Sequence, residues 1–229
     1  MRSFFVLLFV LLSSLTFSQT KTYVGLKGGA HVYSSFLQHT IFNFRARTTF
    51  RPGIHSGLLI KHFPRKRDIF FNAGVQGGIN YVEKGWVQEF PETSIPNYRV
   101  KLNYLEIPIE GIGYFGNKNK YFIAAGFYTE ILVSDEKDPS PTQGQLGNLD
   151  FVTYEASRDR EVGYGARVSG GIFRDFSFGS LHLEGFFTYS FSSIIDAGDL
   201  TNEQLPDISN LWNTGISIGY LIPFGKLEL

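Results

Sequence analysis

Seven charged side chains set among apolar neighbours carry the most chemical potential in this sequence: Lys27, Lys61, Glu106, Glu110, Glu130, Arg167 and Glu184. Each lies in a stretch where large apolar residues alternate with small or polar ones, and each has the parity of the small and polar set. An extended chain points successive side chains to opposite faces, so all seven are expected on the polar face of their strands. If those faces line one interior, opposite charges must meet there, because a buried charge is tolerated only when paired and hydrogen-bonded. The group then acts as a structural plug. The sharper reading is a gated path for protons or small ions, with Glu106 and Arg167 as its gate.

Hydrolytic chemistry is weakly represented. His182 and Ser190 share a strand face but stand eight residues apart, or ~27 Å at about 3.4 Å per residue, too far for a nucleophile and its base. His31, His39, Ser192 and Ser193 remain as reactive types near the ends of their strands. No enzyme activity is expected from them. The segments 134–160 and 195–209 are acidic, with Asp135, Glu136, Asp138, Asp150, Glu155 and Asp159 in the first and Asp196, Asp199, Glu203 and Asp207 in the second. Carboxylates in such numbers can share a divalent cation with lipopolysaccharide phosphates, but EF-hand spacing is absent. No metal site and no cofactor are expected.

The elements that position these groups repeat along the chain. Phe71, Ala73, Val75, Gly77, Ile79 and Tyr81 interleave with Asn72, Gly74, Gln76, Gly78 and Asn80. Eight such strands are predicted, at Thr22–Tyr33, Gly53–Phe63, Ile69–Val82, Val100–Phe115, Tyr121–Val133, Val162–Phe173, Leu181–Phe191 and Leu211–Phe224. Three connections are short (Pro64–Asp68, Gly116–Lys120, Arg174–Ser180) and alternate with long ones, the largest running from Ser134 to Glu161. Short periplasmic turns and long outer loops mark transmembrane barrels. The fold class is therefore all-β: an eight-stranded antiparallel up-and-down transmembrane barrel, apolar outside.

Aromatic residues at the strand ends are expected to form two girdles at the membrane–water boundaries. Trp86 and Trp212 would belong to the upper one, and Phe63, Phe70, Tyr114, Tyr121, Phe173 and Phe224 to the lower. Pro108 cannot donate a ladder hydrogen bond, so a kink or bulge is expected there. The short turns are basic, with Arg65, Lys66, Arg67, Lys118 and Lys120 near anionic headgroups.

Residues 1–18 read as a signal peptide: Arg2, then the apolar run Phe4–Leu12, then small polar residues with Thr16 at the −3 position. Residues 19–229 form the barrel domain. Without Arg2, 20 basic residues face 21 acidic ones, a balance that offers no basic face for nucleic acid. With no cysteine, neither a disulfide framework nor a lipoprotein thioether is available. The 23 Phe, 12 Tyr and 25 Gly among 229 residues suit a membrane barrel better than a soluble enzyme.

The run Leu102-Asn103-Tyr104-Leu105-Glu106-Ile107-Pro108-Ile109 resembles a signature of Bacteroidetes outer-membrane β-barrel proteins of the PorT-like or porin family. Tyr23–Gly29, Pro52–Leu58 and Leu183–Tyr189 are similar to the same family. The chain departs from it in continuing through Gly225–Leu229 after Phe224. The resemblance implies an outer-membrane barrel; the family is defined by that fold more than by an activity, and its namesake takes part in a secretion system. The expected function is a structural or partner-binding barrel with a filled polar lumen, located in the outer membrane. Its expected partners are outer-membrane lipid, lipopolysaccharide and a protein at the outer loops. The alternatives are a narrow porin for ions or very small solutes and a secreted lipocalin-like binding barrel.

Overall fold

The computed structural model describes residues 21–41, 43–64, 71–90, 94–139, 152–198 and 205–224. The expected signal peptide, the basic turn Arg65–Arg67, Phe70 and much of the two acidic segments lie outside the described residues. Ten strands follow one another: β1 Lys21–His39, β2 Phe44–Arg45, β3 Thr48–Thr49, β4 Arg51–Phe63, β5 Asn72–Gln88, β6 Tyr98–Phe115, β7 Asn119–Lys137, β8 Val162–Phe176, β9 Gly179–Ser190 and β10 Ile208–Phe224. Eight are long. Each long strand pairs antiparallel with its neighbour, and β10 pairs with β1 to close the ring. The two-residue strands add a short extension to β1 and to β5.

The ring is staggered. Tyr23 pairs with Lys61, and the line of partners continues through Gln76, Glu110, Gly126, Arg167, Thr188 and Asn213. Asn213 pairs with Tyr33, ten residues beyond the starting point. Such a shear forces the strands to tilt, by ~35–45° in barrels generally. An eight-stranded barrel with this tilt is just wide enough for its own side chains to fill.

Alternation sorts the faces as hydrophobicity requires. Leu26, Ile109, Ile123, Phe127, Ile216 and Ile218 are each at least 61% exposed on the outer wall except where lipid would cover them. Lys27, Gln76, Glu110, Arg167 and Ser217 are buried inside. An apolar exterior around a polar interior is the reverse of a soluble lipocalin-like barrel, so that alternative is overturned.

The strands are longer than the sequence pattern suggests. β1 has 19 residues, which at about 3.4 Å each and ~40° of tilt rise ~50 Å, well beyond a lipid band of about 25 Å. The wall therefore extends past the membrane at the loop end. There the outward positions turn polar, as Arg99 and Lys101 lie beyond Leu105 along β6.

Pro108 produces no bulge. It remains in register with Tyr128 of β7. On the other side the β5–β6 ladder lapses between the Gly77–Ile109 and Asn80–Glu106 pairs without changing register. The missing donor is thus accommodated by a gap in the ladder. The register shift of β6 falls at Asn103/Tyr104 instead.

Four of the residues assigned to the aromatic girdles belong inside. Trp86, Phe63, Tyr114 and Phe173 are buried. The reason is parity: Phe63 is two residues from Lys61, Tyr114 four from Glu110 and Phe173 six from Arg167, all even steps along one face. Tyr121 and Phe224 are exposed on the outer wall, and Trp212 is half-buried there. The lower outer ring also contains the stacked pairs Phe115–Tyr121, Phe176–Phe178 and Phe178–Tyr220.

Candidate functional site

Three layers fill the barrel. At the short-turn end Tyr23, Leu59, Phe63, Ile112, Tyr114, Phe122, Ala124, Phe173 and Leu221 form one buried cluster, with Phe63 stacked on Phe173 at 5.7 Å. At the loop end Leu37, Trp86, Tyr98, Leu102, Tyr104 and Leu211 pack with Val152, Tyr154, Ile194 and Ile195 from the connecting segments. Burial pushes the Tyr154 phenol up to about 12, so it stays neutral in this cap.

Between the clusters lies a layer of charge. Arg167 on β8 reaches Glu106 at 3.7 Å, Glu110 at 3.4 Å and also Glu184, to which it donates a hydrogen bond. Lys27 approaches the same Glu184 oxygen at 3.4 Å. Glu110 also accepts from the Gln76 amide at 2.9 Å and the Ser169 hydroxyl at 3.1 Å. The structure brings six of the seven sequence-identified charges into ion pairs: Lys27, Glu106, Glu110, Glu130, Arg167 and Glu184.

The seventh, Lys61, stands apart. No carboxylate lies within ion-pair distance of it among the described residues; its ammonium sits 3.9 Å from the centre of the Phe122 ring and 3.2 Å from His182 Nε2. An ammonium only donates, so His182 accepts at Nε2 and holds its proton on Nδ1. The cation is thereby retained at the boundary between the charge layer and the lower aromatic cluster.

The residue that completes the layer is Lys84, which the sequence reading missed. Its ammonium donates to Glu106 at 3.0 Å and Glu130 at 2.5 Å and lies 4.4 Å from the Tyr128 ring. The strand predicted at Ile69–Val82 stops two residues short of Lys84. Continuing its alternation through Val82 places Lys84 and then Trp86 inside, so the signal was present in the parity of the chain. With Lys84 included, four cations (Lys27, Lys61, Lys84, Arg167) face four carboxylates (Glu106, Glu110, Glu130, Glu184), all buried. A balanced count is what a low-dielectric interior demands.

A second polar chain runs beside this layer. His31 Nε2 lies 2.6 Å from the Glu83 carbonyl oxygen, which can only accept, so that nitrogen carries a proton. His31 Nδ1 then accepts from His55 Nδ1 at 3.2 Å, and His55 Nε2 accepts from the Ser217 hydroxyl at 2.7 Å. Both imidazoles are satisfied while neutral. The order hydroxyl–imidazole–imidazole has the connectivity of a nucleophile and its base, with Ser217 fully buried inside the wall. Ser190 and Ser193 donate to backbone carbonyls, those of Ser192 and Asp207, and Ser192 donates to that of Tyr164. Among the described residues no cluster of acidic, histidine or cysteine side chains is arranged to hold a metal ion.

The match to known families agrees with this architecture. The family described as outer membrane protein beta-barrel domain matches residues 17–196. A search of curated proteins finds no match. Among solved structures, the attachment invasion locus protein Ail of Yersinia pestis, crystallised with the heparin analogue sucrose octasulfate, is similar at 11% identity and a TM-score of 0.39 over 88% of this chain and 99% of that one. The outer membrane protease OmpT from Escherichia coli is similar at 8% identity and a TM-score of 0.45 over 92% of this chain and all of that one. With the family match covering most of its length and a closed antiparallel ring presenting an apolar wall, the chain belongs to the outer membrane protein β-barrel domain family.

Proposed function

We propose that this protein is a sealed outer-membrane barrel whose function is carried by its loop end and outer surface, as a structural or partner-binding element, with the lumen as its rigid core. The single observation behind this reading is the layered interior. Lys27, Lys84 and Arg167 pair with the four carboxylates between two apolar clusters, Lys61 rests against aromatic rings and His182 beside them, and an eight-stranded wall leaves these side chains little room to part. No enzyme activity is included in the reading. The resemblance of Leu102–Ile109 to PorT-like proteins supports a Bacteroidetes-type relative, and the run Phe4–Leu12 supports export through a signal peptide cleaved after Ser18.

The narrow-pore alternative retains one favourable observation, the continuous line of ionisable groups from Lys61 through Glu184 and Arg167 to Lys84. Planar-bilayer conductance of the refolded 19–229 protein distinguishes the two. A folded, inserted barrel, verified by its heat-shifted gel band, is expected to be electrically silent. Discrete openings altered by Glu106→Gln or Arg167→Gln would establish a pore through the charge layer and overturn the sealed reading.

A further inference from the structure

The outer wall carries two adjoining cavities where the chain between β1 and β4 returns toward the apolar belt. One, of about 440 Å³, is lined by Ser35, Phe36, Arg45, Arg47, Phe50 and Trp212 among others, and no acidic side chain lines it. The other, of about 370 Å³, is formed by Phe36, Phe187, Tyr189 and Trp212. Phe36 and Trp212 belong to both, so a cationic hollow and an aromatic groove share one wall.

Their chemistry differs along the membrane normal. The groove is built on β1, β9 and β10, where Trp212 pairs with Tyr189 and with Ser34. It continues the lipid-facing surface, since Phe187 and Ile216 beside it are exposed on the same outer wall. The hollow lies toward the loops. The Arg45 guanidinium rests over the Phe36 ring at 4.5 Å, and Phe50 meets Trp212 edge-on at 5.6 Å. Arg47, itself exposed, pairs with the partly buried Glu89 at 3.4 Å, and a pair so open to solvent contributes little. Two arginines are therefore presented at the boundary of the lipid band, directly beside an apolar slot.

We propose that this double site holds one phosphorylated, acylated glycolipid of the outer leaflet. Arg45 and Arg47 receive its phosphate, for which the guanidinium fork is well suited. The groove bounded by Phe36, Phe187, Tyr189 and Trp212 receives one acyl chain. A protein partner would have to displace lipid from the groove, whereas a lipid already occupies that depth. The proposal rests on the outward orientation of the long loops. It does not depend on whether the lumen conducts.

Native mass spectrometry of the full barrel in detergent tests it, with bis-phosphorylated lipid A, its dephosphorylated form and phosphatidylglycerol as probes. One lipid A is expected to be retained per barrel. The Arg45→Ala/Arg47→Ala double variant should raise its half-saturating concentration at least about ten-fold, the scale of lost charge-assisted contacts, and removal of the phosphates should do the same. Phe36→Ala should weaken all acylated probes alike. Trp212 emission gives an independent readout, because Trp86 is buried in the interior and supplies a constant background. Retention of lipid A undiminished by the double variant, equal affinity for phosphatidylglycerol, or no retention by a barrel with a normal heat-shifted band would each overturn the proposal. A protein bound at this site in place of lipid A would do so as well.

Discussion

Lys84 shows how much one side chain can matter in a dry interior. Its ammonium is shared between Glu106 and Glu130, so removing it strips Glu130 of its cation and leaves Glu106 with the more distant Arg167, at 3.7 Å. Breaking a buried pair costs about 3–5 kcal/mol, far more than the pair itself contributes over an apolar substitute. Lys84→Met is expected to fall in this range by urea unfolding in lipid, with a lower temperature for conversion of the compact gel band. Adding Glu130→Gln should restore part of the loss, and failure to do so would remove the pairing from the account. Outside the membrane a different residue titrates. Partial burial pushes the Asp207 carboxyl up, but hydrogen bonds donated by the Thr40 hydroxyl and backbone N–H outweigh it and hold the group below its ordinary range. A depressed folded value means that the clasp stabilises above the ordinary aspartate pKa of ~3.9 and is lost as pH falls through the lower folded one. Loop proteolysis by an acid-active protease should therefore rise at strongly acidic pH, and Asp207→Asn should abolish that dependence.

At the scale of elements, the two faces of a strand answer to different solvents. Ile218 lies on the lipid side of β10 and Ser217 on the lumen side. An arginine near the bilayer midplane costs about 2–4 kcal/mol, and one near an interface almost nothing. Ile218→Arg is thus expected to destabilise the inserted barrel by that amount, whereas Ile41→Arg, beyond the end of β1, should leave it unchanged. Equal effects would place the lipid band elsewhere on the wall. The strand pattern itself was legible in the sequence: eight alternating stretches, their antiparallel order and the lumen parity of all seven charges follow from period-two spacing. Strand ends were not. β1 and β5 continue six residues beyond the alternation that was recognised, because above the membrane the outer face no longer needs apolar residues and the contrast fades. Lys84 and Trp86 lie in that unseen stretch of β5.

For the whole molecule, closure is redundant. Phe173 plugs the short-turn end, Trp86 the loop end, and the charge layer lies between them. Phe173→Ala should cost about 3–5 kcal/mol for a buried aromatic truncated in a packed core. It should nevertheless remain silent in bilayers, since two barriers persist; conduction by this variant alone would show that the lower cluster is the only seal. Closure is also where sequence reasoning reached its limit.

Period-two alternation by itself determined the barrel class, the outward apolar face and the burial of the charges, because each depends only on which side of its own strand a residue takes. Which charge meets which depends on the stagger of the ring, and that accumulates over eight interfaces until β10 meets β1 ten residues out of step. Only the closed tertiary structure sets that offset. It brings Arg167 to Glu184, Glu110 and Glu106 together, leaves Lys61 against aromatic rings, and turns four supposed girdle aromatics into the plugs of the lumen.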